Sequence, residues 1–155
     1  MTRNEAPLGQ DLLLLRNRRD QSDRDRGRDL STRMRAETSQ RDLEVVFGNE
    51  NIAQALLLRF LTAEGELSRL GHPDYGSRLH ELIGEPNTEA NRNLAKLYAL
   101  RAVRREPRVD KVLRADVRQR RDDPGGVDIE MQLKIVDSET PLNLVTPFFF
   151  TAEQS

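Results

Sequence analysis

The chain has 155 residues, enough for one domain and too few for two sizeable cores. Its 25 basic and 26 acidic residues give a formal net charge of −1, so no overall field draws it to nucleic acid or to a membrane surface. It has no cysteine and 2 histidines, which excludes a disulfide framework and thiolate chemistry and makes a structural zinc site improbable.

The first apolar group is Leu12 to Leu15. It is far shorter than a membrane span or a signal-peptide core, and acids precede it, so a cytoplasmic protein is expected. These leucines stand alone and suit a short docked strand or an anchor on a neighbour. Residues 16–35, RNRRDQSDRDRGRDLSTRMR, have almost nothing to bury. Disorder, or order only against a partner, is expected there. The aspartates interrupt the basic charge and weaken a nucleic-acid reading. The expected organisation is an extended or disordered arm over 1–41 and a globular domain over 42–155.

Globular patterning begins near Leu43. Asn49, Glu50 and Asn51 offer cap-type residues and an early acid, and the spacing predicts a helix over 52–62, apolar on most faces. Gly65 ends it. Gly71, Pro73, Asp74 and Gly76 form a dense turn cluster. Ser77 is a candidate N-cap for a short helix from Arg78 to Ile83, which Gly84 and Pro86 stop. Asn87 or Thr88 caps a third helix running to about Arg105, with Leu94, Leu97, Tyr98 and Ala102 on its apolar side.

The period then changes to two. Val109, Leu113, Ala115 and Val117 mark one strand, and DDPGG at 122–126 marks a turn. Val127, Ile129, Met131, Leu133 and Ile135 alternate with Asp128, Glu130, Gln132 and Lys134, a half-buried antiparallel strand. Arg114, Arg118 and Arg120 can face Asp128 and Glu130 across its wet side. NLVTPFFF is a third strand, and Pro147 suggests an edge position or a strand end. The fold class expected is α+β, with N-terminal helices packed on a small C-terminal antiparallel sheet, preceded by the charged arm.

Candidate chemistry is thin. Glu64 with Glu66, or Glu81 with Glu85, could supply the carboxylate pair of a glycosidase. In a chain that is 33% charged such pairs arise by chance. His72 and His80 flank Asp74 without a third or fourth ligand nearby. Phosphate loops, nucleophile elbows and HExxH motifs are absent from the sequence. No catalytic residue, metal or cofactor is expected.

Interaction is better supported. A small sheet has open edges, and open edges recruit strands. Phe148, Phe149 and Phe150 form an apolar tip that either enters the core or meets a neighbour. Glu106-Pro107-Arg108 sits between the third helix and the first strand. Pro107 disfavours helical geometry at Glu106, so extended chain is expected there, with Glu106 and Arg108 projecting the same way. One reading is a helix stop with a local ion pair. The other is a docking corner, where Arg108 offers a planar fork to a partner carboxylate.

The stretches DLEVVFGNENIAQALLLRFLTAEGEL, GHPDYGSRLHELIGEPN and REPRVDKV, in that order, resemble the gene-25-like baseplate family. These are the sheath initiators of contractile phage tails, type VI secretion machines and extracellular tail-like particles. The resemblance covers about residues 42–150. It implies a non-enzymatic baseplate protein, assembled in the cytoplasm and present in several copies around the particle axis. It implies wedge proteins and sheath protein as partners, with the inner tube or spike hub as a further one, and no nucleic acid or membrane. It places wedge docking on Glu106, Pro107 and Arg108. The strand carrying Leu142, Leu144, Val145, Phe148, Phe149 and Phe150 becomes a candidate sheath-facing edge, beside the strand from Val109. Some members carry a lysozyme-like label, and a peptidoglycan-cleaving enzyme is the alternative. A nucleic-acid-binding module is the third reading.

Overall fold

A computed structural model describes residues 8–15 and 30–150. Most of the Arg/Asp-rich segment, residues 16–29, lies outside the described residues, as do 1–7 and 151–155. Contacts divide the chain into two units, Met1–Gln54 and Ala55–Ser155.

Among its described residues the first unit holds four short strands: β1 (Gln10–Leu12), β2 (Thr32–Met34), β3 (Arg41–Leu43) and β4 (Val45–Phe47). β1 pairs antiparallel with β4, and β2 with β3. The apolar run at 12–15 therefore begins as a strand. Its remaining backbone is fixed by a buried side chain. Gln54, 1% exposed, accepts from the Leu14 and Leu15 N–H groups at 2.8 and 3.1 Å. Its amide also donates to the Leu12 carbonyl at 2.8 Å. One helix turn earlier, the Asn51 amide donates to the Leu8 carbonyl at 3.1 Å. Two amides in an otherwise apolar helix segment thus satisfy an extended strap that lacks a full ladder of its own.

Helix α1 (Gly48–Leu61) starts in the first unit and continues into the second. In the second unit its Leu56, Leu57 and Phe60 are buried. Helix α2 (Glu89–Val103) is capped by Thr88, whose Oγ1 accepts from the Asn91 N–H. Between the helices, Ser68–Leu70 and Leu79–Leu82 form 3-10 turns where the sequence predicts a loop and a short helix. α2 buries Ala95, Ala99, Ala102 and Val103, whereas Leu94 and Leu97 are exposed. Of the side expected inward, Ala102 is buried and Tyr98 half-buried, but its two leucines face outward. Alanines on the packed face let the helix backbone approach β5 (Val109–Gln119) and β6 (Gly126–Ile135).

β5, β6 and β7 (Leu142–Phe149) form an antiparallel sheet in the order β5-β6-β7. Val127, Ile129, Met131, Leu133 and Ile135 of β6 are all buried, as the alternation predicts. Burying each such side chain contributes roughly 1.5–3 kcal/mol. β5 departs from strict period two. Register shifts between Val109 and Lys111 and between Val112 and Arg114 insert bulges. Val112 therefore stands opposite Leu133, and Leu113 is 46% exposed. The fold is α+β, with both helices preceding the three-stranded sheet.

Candidate functional site

The chain leaves α2 at Val103 and enters β5 at Val109 through Glu106-Pro107-Arg108. The Val109 N–H donates to the Glu106 carbonyl at 3.0 Å, closing a four-residue turn with proline in its second position. The expected extended chain is thus replaced by a turn. The two side chains still meet: Arg108 Nε donates to Glu106 Oε1 at 2.6 Å.

Glu106 is only 5% exposed. Its second oxygen lies 3.7 Å from a terminal nitrogen of Arg59, itself 9% exposed. The Arg59 guanidinium sits 4.5 Å above the Tyr75 ring. Its Nε is buried without a hydrogen-bond acceptor. Burial is the largest influence on the Glu106 carboxyl and pushes its pKa up. The hydrogen bonds and charge of Arg108, with the charge of Arg59, together outweigh burial and leave the group below its ordinary value. Arg108 is the outermost of the three, its side chain 29% exposed against 11% for Arg59 and 6% for Glu106. Arg59 and Tyr75 escaped the sequence reading because an arginine in an apolar helix and a tyrosine in a turn carry no local signal of pairing.

The loop bearing Tyr75 is tied to the end of α1. Ala63 and Ser77 form a parallel bridge. Ser77 Oγ donates to the Phe60 carbonyl at 3.0 Å, so this residue links loop to helix, and the same oxygen accepts from the Leu79 N–H at 3.4 Å, the capping contact expected of it. Arg105 pairs with Glu64 and donates to the Asp74 carbonyl at 3.0 Å. TAEGE, HPDYGS and REPR, separate in sequence, meet at one place.

The second candidate is the edge at β7. The Arg120 N–H donates to the Gly126 carbonyl, so even-numbered residues of β6 direct their backbone toward β5 and odd-numbered ones toward β7. Their partners Leu142, Leu144, Thr146 and Phe148 then bond inward, while Asn143, Val145, Pro147 and Phe149 direct their backbone outward. Pro147 lacks its N–H on the outer side and costs the ladder nothing. Leu142, Leu144 and Phe150 are buried, Phe148 and Phe149 half-buried, and Val145 exposed. Phe148 and Phe150 meet edge to face at 5.1 Å, and Phe149 lies beneath Arg120.

Three of the four carboxylates weighed for catalysis are otherwise engaged, and the fourth, Glu85, is exposed. Glu64 pairs with Arg105, and Glu66 accepts from the Ala63 N–H. Glu81 is held by Arg78, whose hydrogen bond sets its pKa below the ordinary value. A general acid needs the opposite shift. No group of side chains suited to a metal occurs among the described residues.

Residues 46–140 match the family model described as baseplate wedge protein gp25. The fold is similar to that of a candidate tail lysozyme from Geobacter sulfurreducens. The two share 26% identity with a TM-score of 0.57, over 68% of this chain and 93% of that one. No curated protein gives a significant match.

Proposed function

The chain belongs to the baseplate wedge protein gp25 family, and from that premise we propose that it docks to wedge subunits and starts sheath assembly. A structural role in the baseplate follows from the family itself. The wedge contact is made at the turn of Glu106, Pro107 and Arg108, where a guanidinium stands at the surface on a buried carboxylate. Sheath protein then adds a strand to the outer edge of β7. Further contacts with the inner tube or spike hub, and several copies around the axis, complete the reading.

The observation that carries the templating step is the position of β7 at the sheet edge. Outward backbone groups at Asn143 and Val145 offer a short run for pairing, and Pro147 limits its length. The opposite edge is less suited. β5 carries two bulges and the charged Lys111, Arg114, Asp116 and Arg118, features that discourage strand addition. A free sheath arm must lose roughly 1–2 kcal/mol of backbone entropy per residue on pairing, so an ordered edge lowers the barrier to the first ring.

The test is Val145→Pro in the full chain, assembled with the wedge and sheath proteins of its particle. This change removes an outward N–H and leaves the bonds to β6 in place. Sheath formation should stop while wedge binding persists. Sheaths of normal number on the variant baseplate would refute templating at β7.

A further inference from the structure

We infer that Arg59 and Tyr75 are positioning residues for wedge docking: they hold Glu106 so that it aims Arg108 at an acidic protein surface. The inference rests on the docking reading and extends it inward from the three residues at the turn.

The geometry is a chain of contacts running from loop to surface. The Tyr75 ring supports the Arg59 guanidinium at 4.5 Å. Arg59 faces one oxygen of Glu106 at 3.7 Å, and Arg108 takes the other at 2.6 Å. Two guanidinium groups share one carboxylate, and Arg108 is the most exposed member of the cluster. The complement is a surface presenting Asp or Glu, and a guanidinium fork suits a carboxylate in two-bond geometry. Of the neighbouring basic residues, Arg105 is committed to Glu64 and the Asp74 carbonyl.

Lysine cannot replace Arg59 in this arrangement. Its compact ammonium lacks the flat face that stacks on Tyr75 while an edge meets Glu106. Without Arg59, Glu106 loses its inner partner, and the orientation of Arg108 is no longer defined from below.

A double-mutant cycle on the full-length chain separates positioning from general stability. Binding to the purified wedge complex of the same particle is measured for wild type, Arg59→Lys, Arg108→Ala and the double variant. If Arg59 acts through Arg108, Arg59→Lys weakens binding about tenfold in the wild-type background and less than about twofold once Arg108 is alanine. Equal loss in both backgrounds overturns the inference and leaves docking intact. Unchanged binding of Arg108→Ala alone overturns docking itself. Tyr75→Leu, taken through the same cycle, serves where Arg59→Lys fails to fold. In the free protein, Arg59→Lys should also shift the Arg108 Nε–H resonance, and an unmoved resonance would contradict the chain of contacts.

Discussion

Replacing Gly76 by alanine tests whether the HPDYGS loop must lie flat against the end of α1. Gly76 has φ +105°, and an added Cβ would stand 2.6 Å from the Ala63 carbonyl oxygen and 2.7 Å from that of Thr62. These are backbone atoms and cannot swing aside. The bonds at risk are Ser77 N–H to the Thr62 carbonyl at 2.9 Å and Glu64 N–H to the Ser77 carbonyl at 3.0 Å. A left-handed alanine costs about 1–2 kcal/mol. Losing two backbone bonds adds about 1 kcal/mol each. The sum, about 3–4 kcal/mol, corresponds to a fall in Tm of about 10 °C for a chain of this size. Gly71→Ala is the matched control: φ is +86°, and nothing lies within 4 Å of its Cβ. Only the conformational cost remains, and Tm should fall by about 3 °C. Calorimetry on both variants decides the matter. Equal falls would show that the close approach is not what makes Gly76 necessary.

Gln54→Ala should release the Leu8–Leu15 strap. Losing its amide bonds, at about 2 kcal/mol in total, predicts roughly 30-fold faster hydrogen exchange at the Leu14 and Leu15 amides, and unchanged exchange there would refute the assignment of the strap to Gln54. Val112→Lys should lower the urea midpoint strongly, whereas Leu113→Lys should change stability by less than about 0.5 kcal/mol; the reverse order would mean β5 keeps strict alternation. Glu106 has a depressed pKa when folded, so the stability it contributes is present above its unfolded pKa of about 4.3 and is lost as pH falls through the folded value. Glu106→Gln should therefore destabilise at neutral pH and narrow its deficit as pH falls through that range. A deficit constant with pH would assign the loss to packing. Asp116 and Asp122 are also depressed and remain in the variant, so part of the acid limb should persist.

Alternation made β6 legible, because every second residue from Val127 to Ile135 is apolar and the face they share is buried. Thr88 was legible as a cap for a similar reason, since its bond to the Asn91 N–H is local. β5 was not, because a bulge is a mismatch in length between two strands and leaves no mark in either alone. α2 misled because leucine is the larger apolar residue, yet close packing selects the smaller alanine side. The edge assignment from Pro147 succeeded on elementary grounds: a residue without an N–H must sit where no donor is required. The backbone parity of β7 then needed the register of its partner.

Arg59 and Glu106 show why the turn at Glu106-Pro107-Arg108 was only half readable. Sequence places an acid and a base around a proline, which suggests a surface feature. The partner that gives the acid its depth lies 47 positions earlier in α1, through Arg59 at 3.7 Å. Removing one member of a buried ion pair costs about 3–5 kcal/mol, against 0–1 kcal/mol for an exposed pair. The same three residues thus carry different weight once the inner arginine is in place. Burial also bears on binding. A side chain already fixed by its own fold loses less freedom at an interface, where ordering one flexible side chain costs about 0.5–1.5 kcal/mol. Arg108 sits one residue beyond a proline and donates to an anchored carboxylate, so its ordering cost falls on the fold rather than on the interface. Substitutions at Arg59 should consequently act on wedge affinity from beneath the surface.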